Sequence, residues 1–112
     1  MEDAISVTAR CPIRTTLELL GGKWKLLILF QLRDEALRTS ELKRCIPDIS
    51  EKMLIQELKM LVINKLVERH DFAEQPPRVE YKLTENGRAA LPLIAAMKRF
   101  ADDYAAGGIM NK

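Results

Sequence analysis

Apolar positions fall in blocks whose period changes along the chain. Between Ser50 and Leu61, Leu54, Leu58 and Leu61 recur at i, i+4 and i+7, which makes one buried stripe of an α-helix. Ser50 stands just before this run, where a serine hydroxyl accepts from the orphan N–H groups of a first helical turn. Off the stripe lie Ser50, Lys52, Met53, Gln56 and Lys59, which offer donors, positive charge and flexible apolar cover. Upstream, Thr39 to Ile46 predicts a shorter helix, closed by Ile46-Pro47-Asp48. Two helices across so short a turn, the second with a donor-rich face, follow the pattern of a DNA-binding helix-turn-helix.

The remaining blocks supply a frame for that pair. Pro12 suits the first turn of a helix whose apolar face is Ile13, Leu17 and Leu20, and Gly21-Gly22 ends it, glycine accepting the left-handed cap conformation. Lys23 to Leu32 is apolar nearly all round from Leu26 to Phe30, which predicts a central buried helix with Trp24 packed at its entry. Arg33-Asp34-Glu35 is a polar turn, and Ala36-Leu37-Arg38 predicts a very short strand. Past Leu61, Asn64 is the expected left-handed stop. Alternating runs at Leu66 to Phe72 and Val79 to Leu83, around Pro76-Pro77, predict a β-hairpin. Thr84 caps a final helix from about Glu85, and Pro92 within it predicts a kink or a division. Leu93, Met97, Phe100 and Tyr104 then repeat at roughly half-heptad spacing, a narrow seam suited to a partner helix. The predicted fold is mainly α with a small β-hairpin wing, a winged helix-turn-helix. Residues 1–10 form an expected arm, 11–106 a single domain carrying the dimerisation helices, and 107–112 a tail.

Composition permits this reading without requiring it. The chain has 18 basic and 16 acidic residues among 112, a net charge of +2, so DNA affinity must come from where its cations sit. The longest apolar run is too short to span a bilayer and no basic-then-apolar leader opens the chain, which leads us to expect a cytoplasmic protein. Two cysteines, Cys11 and Cys45, are too few for a disulfide scaffold and fit a reducing compartment. His70 is the single histidine, with no second histidine, cysteine cluster or spaced carboxylates beside it, so neither a metal site nor a cofactor is expected. With no nucleophile elbow, phosphate-binding glycine loop or clustered acid and base, catalysis is not expected either.

Several motifs in order carry a family resemblance: Cys11-Pro12, GGKWK at Gly21 to Lys25, LRTSEL at Leu37 to Leu42, IPDIS followed by Lys52 and Leu54, PPRVEYKLT at Pro76 to Thr84, and Gly87-Arg88 with Pro92. Together they resemble the HxlR-type regulators, close to the MarR-like winged-helix factors, over roughly Cys11 to Tyr104. The resemblance implies a dimeric, cytoplasmic DNA-binding regulator joined through its first and last helices. That assignment agrees with the faces at Ile13 and Leu17 and at Leu93, Met97, Phe100 and Tyr104. Three positions depart from the pattern: Asp48 where glycine is common, Glu51 where glutamine or asparagine is frequent, and Ile55 where threonine is frequent.

Each candidate residue has a chemical role and a bland alternative. Lys52 and Lys59 suit phosphates, whereas Ser50 and Gln56 suit base edges, an amide pairing with adenine in a bidentate way. Met53 shares their face. Thr39 and Ser40 offer hydroxyl and backbone N–H contacts to phosphate. Arg38 is a phosphate clamp or a surface cation. Arg78 enters a narrow minor groove or forms an ion pair with Glu80 or Glu74. Cys11 is a small buried hydrophobe or, set just before a helix start, a thiol whose reactive thiolate is favoured there. In some members of the resembling family a cysteine at this place senses quinones, aldehydes or oxidants, which would make Cys45 a resolving partner across the dimer. Met97, Phe100 and Tyr104 line a dimer seam or a small-molecule effector pocket. Glu51 and Glu57 on the key helix also admit a competing class, a winged-helix module that binds protein rather than double-stranded DNA.

Overall fold

The computed structural model describes residues 8–107, in the order α1 (Pro12–Leu20), α2 (Lys25–Gln31), α3 (Thr39–Cys45), α4 (Glu51–Ile63), β1 (Val67–Asp71), β2 (Val79–Leu83), α5 (Glu85–Arg88) and α6 (Leu91–Ala106). Most of the expected arm, residues 1–7, and the tail from Gly108 onward lie outside the described residues. Helices α2, α3 and α4 converge on Ile28, Leu29, Leu32, Leu42, Leu54, Leu58 and Leu61, all essentially without solvent exposure. Leu66, Val67 and Leu83 at the hairpin base join the same cluster, which ties the wing to the helices.

The predicted boundaries follow from local chemistry. Cys11 is the N-cap of α1, its Sγ accepting from the Arg14 N–H at 3.4 Å, and Pro12 occupies the first turn. Of the two glycines expected to end α1, Gly21 is not the left-handed one. It is extended (φ −69°) and gives its N–H to the Leu17 carbonyl, so close that any Cβ would clash there; the positive φ belongs to Gly22. The stop after α4 is likewise one residue later than expected: Lys65, not Asn64, has φ +62°. The bonds Leu66 N–H to Leu61 carbonyl and Lys65 N–H to Val62 carbonyl make a Schellman closure that requires the left-handed residue at position 65.

Pro92 divides the last helix rather than kinking it. Its ring excludes a helical carbonyl four residues back, so α5 stops at Arg88 and α6 restarts at Leu91 with Pro92 in its first turn, where no N–H bond is needed. Thr84 caps α5, accepting from Gly87 N–H at 3.0 Å and donating to the Lys65 carbonyl at 2.7 Å.

The antiparallel hairpin pairs Val67 with Leu83 and Asp71 with Val79. The expected strand at 36–38 is a single bridge, Leu37 exchanging both backbone bonds with Tyr81. β1 does not alternate in burial: Val67 is buried at the base of the hairpin, and the polar residues Glu68 to Asp71 are exposed on both faces. The run Leu26 to Phe30 is also not buried all round. One side of α2 meets α3 and α4, while Leu27 and Phe30 stay exposed along a groove of about 570 Å³ between α2 and α6.

Candidate nucleic-acid interface

The geometry of the helix pair is set by its turn. Ile46 and Ile49 are buried under the α3–α4 corner, Ile49 N–H donates to the Ile46 carbonyl, and the Lys43 ammonium donates to the Pro47 carbonyl at 2.9 Å. With both isoleucines anchored, α4 has one orientation relative to α3, and its outward face is determined.

That face is narrower than the sequence suggested. Lys52, Gln56 and Lys59, spaced four and three residues apart, form one exposed stripe opposite the buried leucines. Ser50 is exposed, but its Oγ already accepts from Met53 N–H at 3.0 Å as the N-cap of α4. Met53 is half-buried and packs against the core. Glu57 does not present a free charge at all. Its carboxylate meets the Lys25 ammonium at 2.8 Å, with the two side chains only 15% and 14% exposed, and so joins α4 to the start of α2. Periodicity alone could not reveal this pair, because its partners lie 32 residues apart.

At the start of α3, the Arg38 side chain is exposed and the Arg38 N–H is held by the Glu41 carboxylate at 2.8 Å. Thr39 and Ser40 share a hollow with Lys43 and Glu51 beside the α4 N-terminus. A second hollow, about 450 Å³, lies between α4 and the hairpin and brings Thr39 and Lys59 together with Ile55, Val79, Tyr81 and Arg69. Arg69 was missed in the sequence; its pairing opposite Tyr81 places it at this edge, a consequence of strand register.

Arg78 realises its bland alternative in the free protein. Its guanidinium lies 3.9 Å from Glu74, 3.5 Å from Glu80 and 3.9 Å from the centre of the Phe72 ring. The Glu80 contact is electrostatic, since Nε makes no hydrogen bond. Of the cysteines, Cys11 is 4% exposed and Cys45, at the end of α3, is exposed; both thiols are free.

Helix α6 has no fully buried residue, Leu91 and Ile94 packing only partly against the core. Leu93, Met97, Phe100 and Tyr104 are exposed, Phe100 by 70%, and its ring stacks on Tyr104 with centroids 5.9 Å apart. Ile13 and Leu17 on α1 are exposed as well, Leu17 by 63%. Among the described residues no helix is long and apolar enough to cross a membrane.

A buried helix-turn-helix with a two-stranded hairpin beside its second helix defines a winged helix-turn-helix protein. The family model for the HxlR-like helix-turn-helix matches residues 19–108. The uncharacterized HTH-type transcriptional regulator YkvN of Bacillus subtilis (strain 168) is 44% identical over 95 residues, 85% of this chain and 80% of that protein. Among solved structures, the redox regulator HypR in its oxidized form is 36% identical with a TM-score of 0.78, covering 83% of this chain and 96% of that one. The reduced form of the transcriptional regulator YodB from B. subtilis is 40% identical with a TM-score of 0.74, covering 84% and 93%. The chain belongs to the HxlR-like helix-turn-helix family and is a transcriptional regulator of the helix-turn-helix type.

Proposed function

We propose that the protein is a homodimeric, sequence-specific regulator that binds an inverted-repeat operator in double-stranded DNA and acts in the cytoplasm. The observation that carries this reading is the exposed Lys52–Gln56–Lys59 stripe, backed by three fully buried leucines and flanked by the wing. Lys52 and Lys59, with Arg38, Thr39 and Ser40, engage phosphates, and Gln56 reads a base edge in the major groove. Ser50 and Met53 set the pitch of α4, one through its cap and the other through packing, and contact DNA only at their outer atoms. Arg78 reaches the minor groove by exchanging its two carboxylate partners for phosphate or base acceptors. The exposed apolar faces of α1 and α6 support a dimer, since a second copy would cover both. Two recognition helices then sit about one helical turn, ~34 Å, apart.

Oxidant or electrophile control acts through Cys11. Its support is twofold: the thiol caps α1, on the proposed dimer face, and the similar structures include a redox regulator. With a hydroperoxide, the Cys11 thiolate takes the terminal oxygen to become a sulfenic acid and releases water or an alcohol, which disturbs the α1 start; the exposed Cys45 thiol of the second copy then displaces water from it to close a disulfide. The protein-binding alternative loses one of its two acidic residues, because Glu57 is neutralised by Lys25.

Selection of bound duplexes from a random pool, with reduced protein at about 150 mM salt, tests the reading. Enrichment of an inverted repeat is expected. A dimer touching roughly 6–10 phosphates should then lose ~10³–10⁵ in affinity between 50 and 200 mM salt. Absence of enrichment under both reducing and oxidising conditions overturns the DNA-binding reading. With an operator in hand, diamide should weaken binding by the wild type and spare Cys11→Ser; equal loss in both refutes the role of Cys11.

A further inference from the structure

The first half of α4 exposes one apolar residue that neither helix formation nor the core explains. Ile55 is 48% exposed, although isoleucine gains nothing from water and is only a middling helix former. It is the fifth residue of α4, three after Lys52, four before Lys59 and next to Gln56, so it borders the stripe assigned to DNA along the edge that Lys59 and Lys52 form. One side of it lines the hollow that Val79 and Tyr81 also border, and the rest is turned outward. The other exposed apolar residues of α4, Met60 and Ile63, lie in its last turn. Recognition helices contact base edges chiefly with their N-terminal residues, which leaves Ile55 as the apolar reader.

An aliphatic side chain has no donor or acceptor to offer a base. In the major groove the one apolar feature on a base edge is the 5-methyl group of thymine. We propose that Ile55 is a specificity-determining residue that packs on the 5-methyl of one thymine in each operator half-site. The inference rests on the reading of α4 as the DNA-entering helix and names what that helix recognises besides hydrogen-bonding groups.

The test uses wild-type protein and the selected operator, with each thymine replaced in turn by uracil, which deletes the methyl alone. At one thymine per half-site, uracil should weaken binding about fourfold, the worth of one buried methyl, and about fifteenfold when both half-sites carry it. Ile55→Ala should bind the thymine operator more weakly and lose the uracil penalty. Uracil tolerated within twofold at every position overturns the proposal. So does a half-site without thymine, or an Ile55→Ala variant that keeps the full penalty. Because the first comparison alters only DNA, it stands even if the variant folds poorly. Failure to select any operator would instead overturn the DNA-binding reading itself, so the two failures are distinguishable.

Discussion

Removing one partner of the Lys25–Glu57 pair tests how α4 is held. In Lys25→Met the apolar stem is retained and the ammonium is lost, so the Glu57 carboxylate is left beside the core without its cation. At 2.8 Å the gross attraction is about 6 kcal/mol for an effective dielectric constant of 20. Much of that is offset by desolvation of the two charges in the folded state. Breaking a fully buried pair costs about 3–5 kcal/mol; with 14% and 15% of the side chains still meeting water, we expect about 2–3 kcal/mol. For a chain of 112 residues this corresponds to a fall of roughly 10 °C in Tm. The double variant Lys25→Met with Glu57→Leu should recover to within about 1 kcal/mol of wild type, because an apolar pair replaces two charges at similar volume. Urea unfolding at one fixed protomer concentration measures all four proteins, since association would otherwise shift apparent stability. If Lys25→Met lies within about 0.5 kcal/mol of wild type, or if the double variant loses the sum of the single losses, the pair does not hold α4.

Four further variants probe the helix stop, the α6 face and the recognition helix. Lys65→Gly should raise stability by up to about 1 kcal/mol in the same unfolding assay, because the left-handed conformation at that helix stop strains any residue with a Cβ; a loss would mean that the Lys65 side chain is doing something the backbone does not show. Phe100→Asp puts a charge on the most exposed ring of α6 and should convert the proposed dimer to monomer in sedimentation at micromolar concentration, whereas an unchanged dimer would place the interface elsewhere. Lys52→Ala should weaken binding to all duplexes alike and lower the salt slope by about 1, while Gln56→Ala should relax discrimination at one base pair by about 1–3 kcal/mol; an exchange of these two signatures would reverse their assigned roles.

The amino-acid sequence by itself determined the element order, the α3–α4 pair and the hairpin. Each is a local matter of period, caps and proline: Leu54, Leu58 and Leu61 mark a helix wherever it packs, Thr84 caps whatever follows, and Pro92 must kink or divide the helix that holds it. Tertiary structure decided which atoms of those elements remain available. Met53 lies on the expected side of α4, yet it packs partly against the core. Arg78 finds Glu74, Glu80 and Phe72 within its own wing. Leu27 and Phe30, apolar enough for any core, are left exposed because α6 stands across a groove from them. Lys25 and Glu57, like Arg69 and Lys59, are brought together only by packing between distant elements. Local chemistry decides where an element begins and stops, whereas a contact between separate elements depends on the angles at which they dock, and those angles are set by the whole core at once.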